Sequence, residues 1–114
     1  MANYYKVIGN LKRPDGMSFD DFKQWWQQVH VPRVMKWAGL LAYDLNFALN
    51  ESEAFDGVGI AWFDNREAAL RVFQTAEGQS ARSGAVAESS KSAIFITEEV
   101  VIVRHPEIRK SELG

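Results

Sequence analysis

Cysteine is absent from the sequence, and its absence removes several kinds of site at once. Disulfide bonds, zinc sites built on thiolates and thiol nucleophiles all require it. Histidine is nearly as scarce: His30 and His105 are the only two, they lie far apart in the sequence, and no motif near them supplies a third metal ligand. We therefore predict that the protein has no metal site.

Long apolar runs are also missing. No segment approaches the ~20 apolar residues that a membrane-spanning helix needs, and the first residues lack the apolar block of a secretory signal. The 114 residues are 46% hydrophobic and 25% charged, which is the balance of a soluble globular domain. We expect a cytoplasmic protein without a membrane partner, with one domain over residues 1–106 and a polar C-terminal tail over residues 107–114.

An excess of positive charge is the third feature that the chain lacks. Lys and Arg number 13 against 15 Asp and Glu, for a net charge of −2. The cationic residues are scattered along the sequence, whereas binding to a phosphate backbone requires a basic patch or stripe. Nucleic acid is therefore not an expected partner.

Apolar periodicity divides the chain into strands and helices. Strands are predicted at residues 4–12, 41–49, 57–63 and 94–104. A first helix should start at Ser18, and a second, capped by Asp64 and Asn65, should be interrupted at Gly78, with a loose helical piece over residues 79–90. The order βαββαβ is that of a ferredoxin-like α+β fold, an antiparallel sheet with both helices on one face.

The other face of that sheet needs a cover. Two helices shield one face only, while the strands at residues 57–63 and 94–104 carry large apolar side chains on both. A monomer would expose a larger apolar patch than monomeric proteins usually do. We predict a homodimer that pairs sheet to sheet.

His30 lies at the edge of the apolar face of the first helix. Pro32 cannot donate a backbone hydrogen bond and disfavours helical geometry at Val31, so the helix should break or kink immediately after His30, and it can restart with Pro32 as a first-turn residue. A boundary imidazole can exchange protons near neutral pH, which suits a general base. The alternative is a structural histidine that caps the last turn.

One group of residues resembles the start of EthD-like domains, which belong to the dimeric α+β barrel superfamily. The group comprises Lys12, Arg13, Pro14, Met17, Ser18, Phe22, Trp25, Trp26, His30, Val31, Pro32, Gly39 and Leu40. Weaker similarity extends to Trp62–Phe63 and to Glu98–Val100. The resemblance implies a barrel formed by two sheets, and it implies either an enzyme without a cofactor or a catabolic protein of unsettled activity.

The chain also resembles, more distantly, the methylmuconolactone methylisomerases. That resemblance places His30 and Tyr43 on two residues that line the isomerase pocket, so it implies a base at His30 and a group at Tyr43 that orients a substrate oxygen. Ala61 stands where the isomerases have a cysteine, which argues against lactone methyl isomerisation. For Tyr43 the alternative is a core tyrosine bonded to the backbone.

Aromatic side chains are the expected walls of a pocket between the sheet and the first helix. The candidates are Phe22, Trp26, Trp62 and Phe73. Ordinary core packing is the alternative, because aromatics at helical or strand spacing are usually buried for stability.

These features lead to one functional hypothesis and two alternatives. The hypothesis is a small cofactor-independent enzyme, acting by acid–base isomerisation, cyclisation or dehydration on a small cyclic or aromatic metabolite in catabolism or secondary metabolism. One alternative is a non-catalytic protein of a degradation pathway that binds a small apolar or aromatic ligand. The other is a haem- or oxygen-using protein with His30 as an axial ligand.

Overall fold

The computed structural model describes residues 4–107 as one antiparallel sheet with helices packed on one face. The strands are β1 (Tyr5–Lys12), β2 (Ala42–Phe47), β3 (Gly57–Phe63) and β4 (Lys91–Glu98), in the sheet order β2-β3-β1-β4. The helices are α1 (Phe19–Trp25), α2 (Val31–Val34), α3 (Arg66–Arg71) and α4 (Ala76–Ala87). The predicted ferredoxin-like α+β class is confirmed. No helix within the described residues is long and apolar enough to span a membrane.

Strand alternation decides which side chains reach the helices. The central strand β1 pairs with β3 through Val7↔Ala61 and with β4 through Val7↔Ile96. Val7 and Leu11 therefore point to the helical layer and are 3% and 1% exposed. Two buried clusters result, one around Val7 and Phe63 and one around Leu11 and Trp26.

The second half of the helical layer differs from the prediction. The helix is not interrupted at Gly78, because α4 starts at Ala76 and continues through this residue. Thr75 caps α4, since its Oγ1 accepts a hydrogen bond from the Gly78 N–H at 3.0 Å. The irregular turn lies earlier, at Val72–Gln74. The buried face of α4 consists of small residues, Gly78, Ala81 and Ala85, so this helix needs no large apolar side chains to pack closely.

The last strand is shorter than predicted, because β4 ends at Glu98 rather than at residue 104. Its neighbour β1 begins at Tyr5, which pairs with Glu98, so within residues 4–107 this strand offers no ladder partner to later residues. The apolar residues that follow are exposed: Val100 by 68%, Val101 by 39%, Ile102 by 88% and Val103 by 88%. Of the predicted polar tail, only Glu107 falls among the described residues.

The face of the sheet opposite the helices carries the side chains of Ile8, Val58 and Ile60, which are only partly buried. Phe95, which pairs with Ile8, is 52% exposed. We call this surface, with Trp62 at its margin, the open face.

Candidate active site around His30 and Tyr43

The first helix is irregular where His30 lies. Trp26–His30 forms a π-turn, closed by a hydrogen bond from the Val31 N–H to the Trp26 carbonyl, and the chain then continues as α2. The chain does not break after His30, but the predicted irregularity is there, and the predicted restart is confirmed because α2 begins at Val31 with Pro32 in its first turn. A proline ring collides with the carbonyl four residues earlier in an α-helix, and the wider π-turn avoids that contact. Such turns occur often at functional sites.

The imidazole of His30 is buried between aromatic rings and is 6% exposed. It stacks on Trp25 with 5.4 Å between ring centroids, and it meets Trp26 edge-on at 6.2 Å. Its Nδ1 atom is buried without a hydrogen-bond partner among the described residues. No backbone carbonyl of the described residues accepts a hydrogen bond from this atom.

His30 is uncharged at neutral pH. Burial, together with the nearby charge of Arg33, lowers its pKa from 6.5 to about 4, while the charge of Glu88 acts in the opposite direction. A neutral imidazole with an unpaired nitrogen can accept a proton or a hydrogen bond.

Tyr43 on β2 supplies the opposite kind of hydrogen-bonding group, a donor. Its hydroxyl oxygen accepts a hydrogen bond from Trp26 Nε1 at 2.9 Å. An indole N–H can only donate, so the phenol proton remains available, and it has no acceptor among the described residues. Burial raises the pKa of Tyr43 to about 12, which keeps the phenol protonated. Tyr43 is thus a neutral hydrogen-bond donor.

His30, Tyr43, Trp26 and Phe73 all line one cavity between the sheet and the helices. Trp26 and Phe73 were predicted as walls, and they lie there. Phe22 does not reach the cavity: it is fully buried behind Trp26, with 5.6 Å between the ring centroids.

Trp62 lies on the other side of the sheet, so its predicted place in this pocket is wrong. Ala61 and Phe63 face the helices, and strand alternation sends Trp62 to the open face. There its Nε1 donates to Asp44 Oδ2 at 2.9 Å, and the Lys6 ammonium lies 3.7 Å from its ring.

The cavity is small, about 30 Å³. For comparison, an engineered apolar cavity of roughly 150 Å³ is needed to hold a benzene molecule. The enclosed part therefore admits a few heavy atoms of a ligand, and an aromatic ring would have to remain at the mouth. A haem group, which is far larger, does not fit beside His30.

Two residues that the sequence did not single out, Gly57 and Gly59 of β3, make room for Trp26 and Tyr43. A Cβ atom at Gly57 would lie 2.8 Å from the Trp26 ring, and one at Gly59 would lie 2.9 Å from both that ring and the Tyr43 hydroxyl. The sequence did contain a signal, because two glycines on one face of a strand mark a place where another group approaches the backbone closely.

Gly59→Ala should therefore disturb this site. The added methyl must displace Trp26, which is 1% exposed and cannot swing into solvent, so we expect a loss of about 2 kcal/mol in the free energy of unfolding. Gly9→Ala is the matched control, since Gly9 pairs with Gly59, lines the same cavity and would bring its Cβ no closer than 4.0 Å to Ile94. Denaturant titrations of both variants test this, and equal losses would contradict it.

A second missed feature is an ion pair beside His30. Arg33 Nη2 lies 2.9 Å from Glu88 Oε2, and Trp25 Nε1 donates to Glu88 Oε1 at 2.9 Å. Burial acts to raise the pKa of Glu88, but the hydrogen bonds from Trp25 and Arg33 outweigh it, so the pKa lies below its ordinary value. Glu88 thus holds the indole on which His30 stacks.

No three potential metal-ligating side chains come together within residues 4–107.

Comparison with known proteins identifies relatives of this fold. The model of the EthD domain family matches residues 14–88, more than half of the chain. An ethyl tert-butyl ether D (EthD) family protein from Bacillus halodurans C-125 is similar with a TM-score of 0.73 and 20% identity, over 85% of this chain and 99% of that chain. Comparison with curated proteins gives no match.

Two further solved structures share the fold at lower identity. The hydroxynitrile lyase from Passiflora edulis has a TM-score of 0.70 and 11% identity, over 91% of this chain and all of its own. A dimeric ferredoxin-like protein of unknown function from Jannaschia sp. CCS1 has a TM-score of 0.60 and 16% identity, over 86% of this chain and 99% of its own.

The family match runs from Pro14, before α1, to Glu88, at the end of α4. It therefore includes the π-turn, His30, Tyr43 and the small-residue face of α4. The predicted resemblance is confirmed, and the chain belongs to the EthD family.

Proposed function

We propose that the chain is a cofactor-independent acid–base catalyst acting on a small metabolite. The observation that supports this most directly is that one cavity holds both a hydrogen-bond acceptor and a hydrogen-bond donor. His30 presents an unpaired, neutral nitrogen, and Tyr43 presents a proton without an acceptor among the described residues. Buried polar atoms are normally paired, so an unpaired nitrogen and an unpaired proton in one cavity favour a role other than stability.

The two groups suit a reaction in which a proton leaves one atom of the substrate while negative charge grows on a neighbouring oxygen. His30 would take the proton, and Tyr43 would donate a hydrogen bond to the oxygen. The Glu88 carboxylate would favour the imidazolium that forms, partly offsetting the effect of Arg33. Isomerisation, cyclisation and dehydration or other eliminations all fit one such base.

The size of the cavity limits which substrates the protein can accept. With about 30 Å³ available, the reacting part is a hydroxyl or carbonyl carbon with few substituents, and any ring lies outside it. The fold shared with a hydroxynitrile lyase places cyanohydrins among the compounds to test. There a base takes the hydroxyl proton, the carbonyl forms, and cyanide leaves with the bonding electrons.

The experiment is a panel of small hydroxy and carbonyl compounds, cyanohydrins included, incubated with the protein in D₂O and followed by proton NMR. We expect hydrogen exchange or conversion of at least one compound at ~100-fold or more above the buffer rate. Unchanged spectra throughout would contradict the catalytic proposal.

The low pKa of His30 favours a second candidate function, in which the cavity binds a ligand and no bond changes. A base with a pKa of about 4 is a weak proton acceptor at neutral pH. Binding of panel compounds without conversion would support this candidate.

We further propose that two copies pair through their open faces, which carry Ile8, Val58, Ile60 and Phe95. Three observations support this: within residues 4–107 no helix covers the open face, exposed apolar side chains follow β4, and the Jannaschia protein is described as dimeric. We expect sedimentation to show a dimer. Phe95→Glu should weaken that dimer by ~10-fold or more, because it buries an unpaired charge.

Leu70→Glu is the matched control for this substitution. Leu70 lies on α3 in the helical layer and is 41% exposed, so the same change there should leave the dimer intact. A monomer at all concentrations, or equal effects of the two substitutions, would exclude pairing through the open face.

A further inference from the structure

Among the described residues, one charged side chain lines the cavity around His30, that of Arg82 on α4. It is exposed, whereas the cavity residues beside it on the same helix, Ala81 and Ala85, are buried. Arg82 therefore lies at the rim, where the cavity meets solvent.

Arg82 differs from the other arginines among the described residues. Each of the others has a carboxylate within 4.0 Å: Arg13, Arg33, Arg66, Arg71 and Arg104. Arg82 has no such partner within residues 4–107. Its own helix offers none, because the positions three and four residues away are Gln79, Ala85, Gly78 and Val86.

The guanidinium of Arg82 is positioned by an aromatic ring instead. Its Cζ atom lies 4.9 Å from the centroid of Phe73, which also lines the cavity. A contact with the face of a ring holds the guanidinium plane without consuming its N–H donors. The donors thus remain free at the rim.

We propose that Arg82 binds the carboxylate of a small organic acid whose other end enters the cavity between His30 and Tyr43. The inference rests on the proposed function, since it names the substrate class of that site. A guanidinium fork matches a carboxylate through two parallel hydrogen bonds, and a single cation suits a single negative charge. The protein carries a net charge of −2, so an anion needs a local cation of this kind.

The interior of the cavity fits the other end of such an acid. His30 and Tyr43 are both uncharged at neutral pH, so they can bind a hydroxyl or carbonyl oxygen but offer no charge to a carboxylate. The volume of about 30 Å³ limits that end to a few atoms. A 2-hydroxy or 2-oxo acid has both features within a short molecule.

Lactate and lactamide are matched probes, because they have the same shape and differ in charge. Binding can be followed through the indole N–H signal of Trp26, which lines the cavity and bonds to Tyr43. We expect the wild type to bind lactate ~10-fold more tightly than lactamide, as a charge-assisted hydrogen bond implies. Arg82→Gln should abolish the difference while leaving lactamide binding unchanged.

Arg71→Gln is the control, since it removes the same charge from an exposed arginine that pairs with Glu67 away from the cavity. It should preserve the preference for lactate. Equal affinities in the wild type, or equal losses in the two variants, would refute the Arg82 site while the proposed function stands. If neither probe shifts the Trp26 signal, the Arg82 proposal fails, and the panel of hydroxy and carbonyl compounds decides the proposed function separately.

Discussion

Replacing His30 by glutamine should lower turnover by ~100-fold or more on any compound of the panel that the protein converts, as loss of a general base usually does. Folding should stay nearly intact, because the imidazole ring is neutral and its Nδ1 bonds to no described residue. The measurement is the rate per folded molecule, with the folded fraction taken from circular dichroism. A merely structural histidine would show lower thermal stability and unchanged activity.

His30 is a cleaner test of the mechanism than Tyr43. Tyr43→Phe removes the oxygen that accepts from Trp26 Nε1 and leaves that N–H unpaired in the interior. An unpaired buried donor costs about 1–3 kcal/mol, so the variant mixes a loss of stability with any catalytic effect. His30→Gln removes no hydrogen bond among the described residues, so it leaves no partner atom unpaired in the interior.

Local periodicity was sufficient to predict most of the fold. Alternation along residues 41–49 predicted β2, a short run that is apolar on both faces predicted β3, and the Ser18 cap predicted the start of α1. These signals are reliable because each depends only on neighbours in the chain. The length of β4 was overestimated for the opposite reason, since a strand ends where its partner ends, whatever its own sequence.

The candidate site was predictable only in part. The helix pattern and Pro32 singled out His30 and indicated an irregular helix, and the family resemblance added Tyr43. The Arg33–Glu88 pair joins residues 55 positions apart in the sequence, so no spacing pattern could reveal it. For Trp62, alternation predicted that it opposes Ala61 and Phe63, but it could not say which face the helices cover.

The site also has a consequence for stability that depends on pH. The pKa of His30 is about 4 in the folded protein and close to its ordinary 6.5 when the chain unfolds, so between these values the unfolded state binds more protons. The free energy of unfolding therefore increases with pH across that window. The full difference corresponds to about 3 kcal/mol, which is lost as the pH falls from 6.5 to 4 and stays lost below it.

His30→Gln isolates this contribution, because it removes the titrating group and keeps the carboxylates that titrate nearby, Glu88 above all. Denaturant titrations of both proteins between about pH 4 and pH 7 give the comparison. The wild type should lose about 3 kcal/mol more than the variant on acidification. If the two proteins lose stability in parallel, His30 is charged or solvated in the folded state. It could not then be the neutral base of the proposed mechanism, because that role requires the same desolvation that produces the pH dependence.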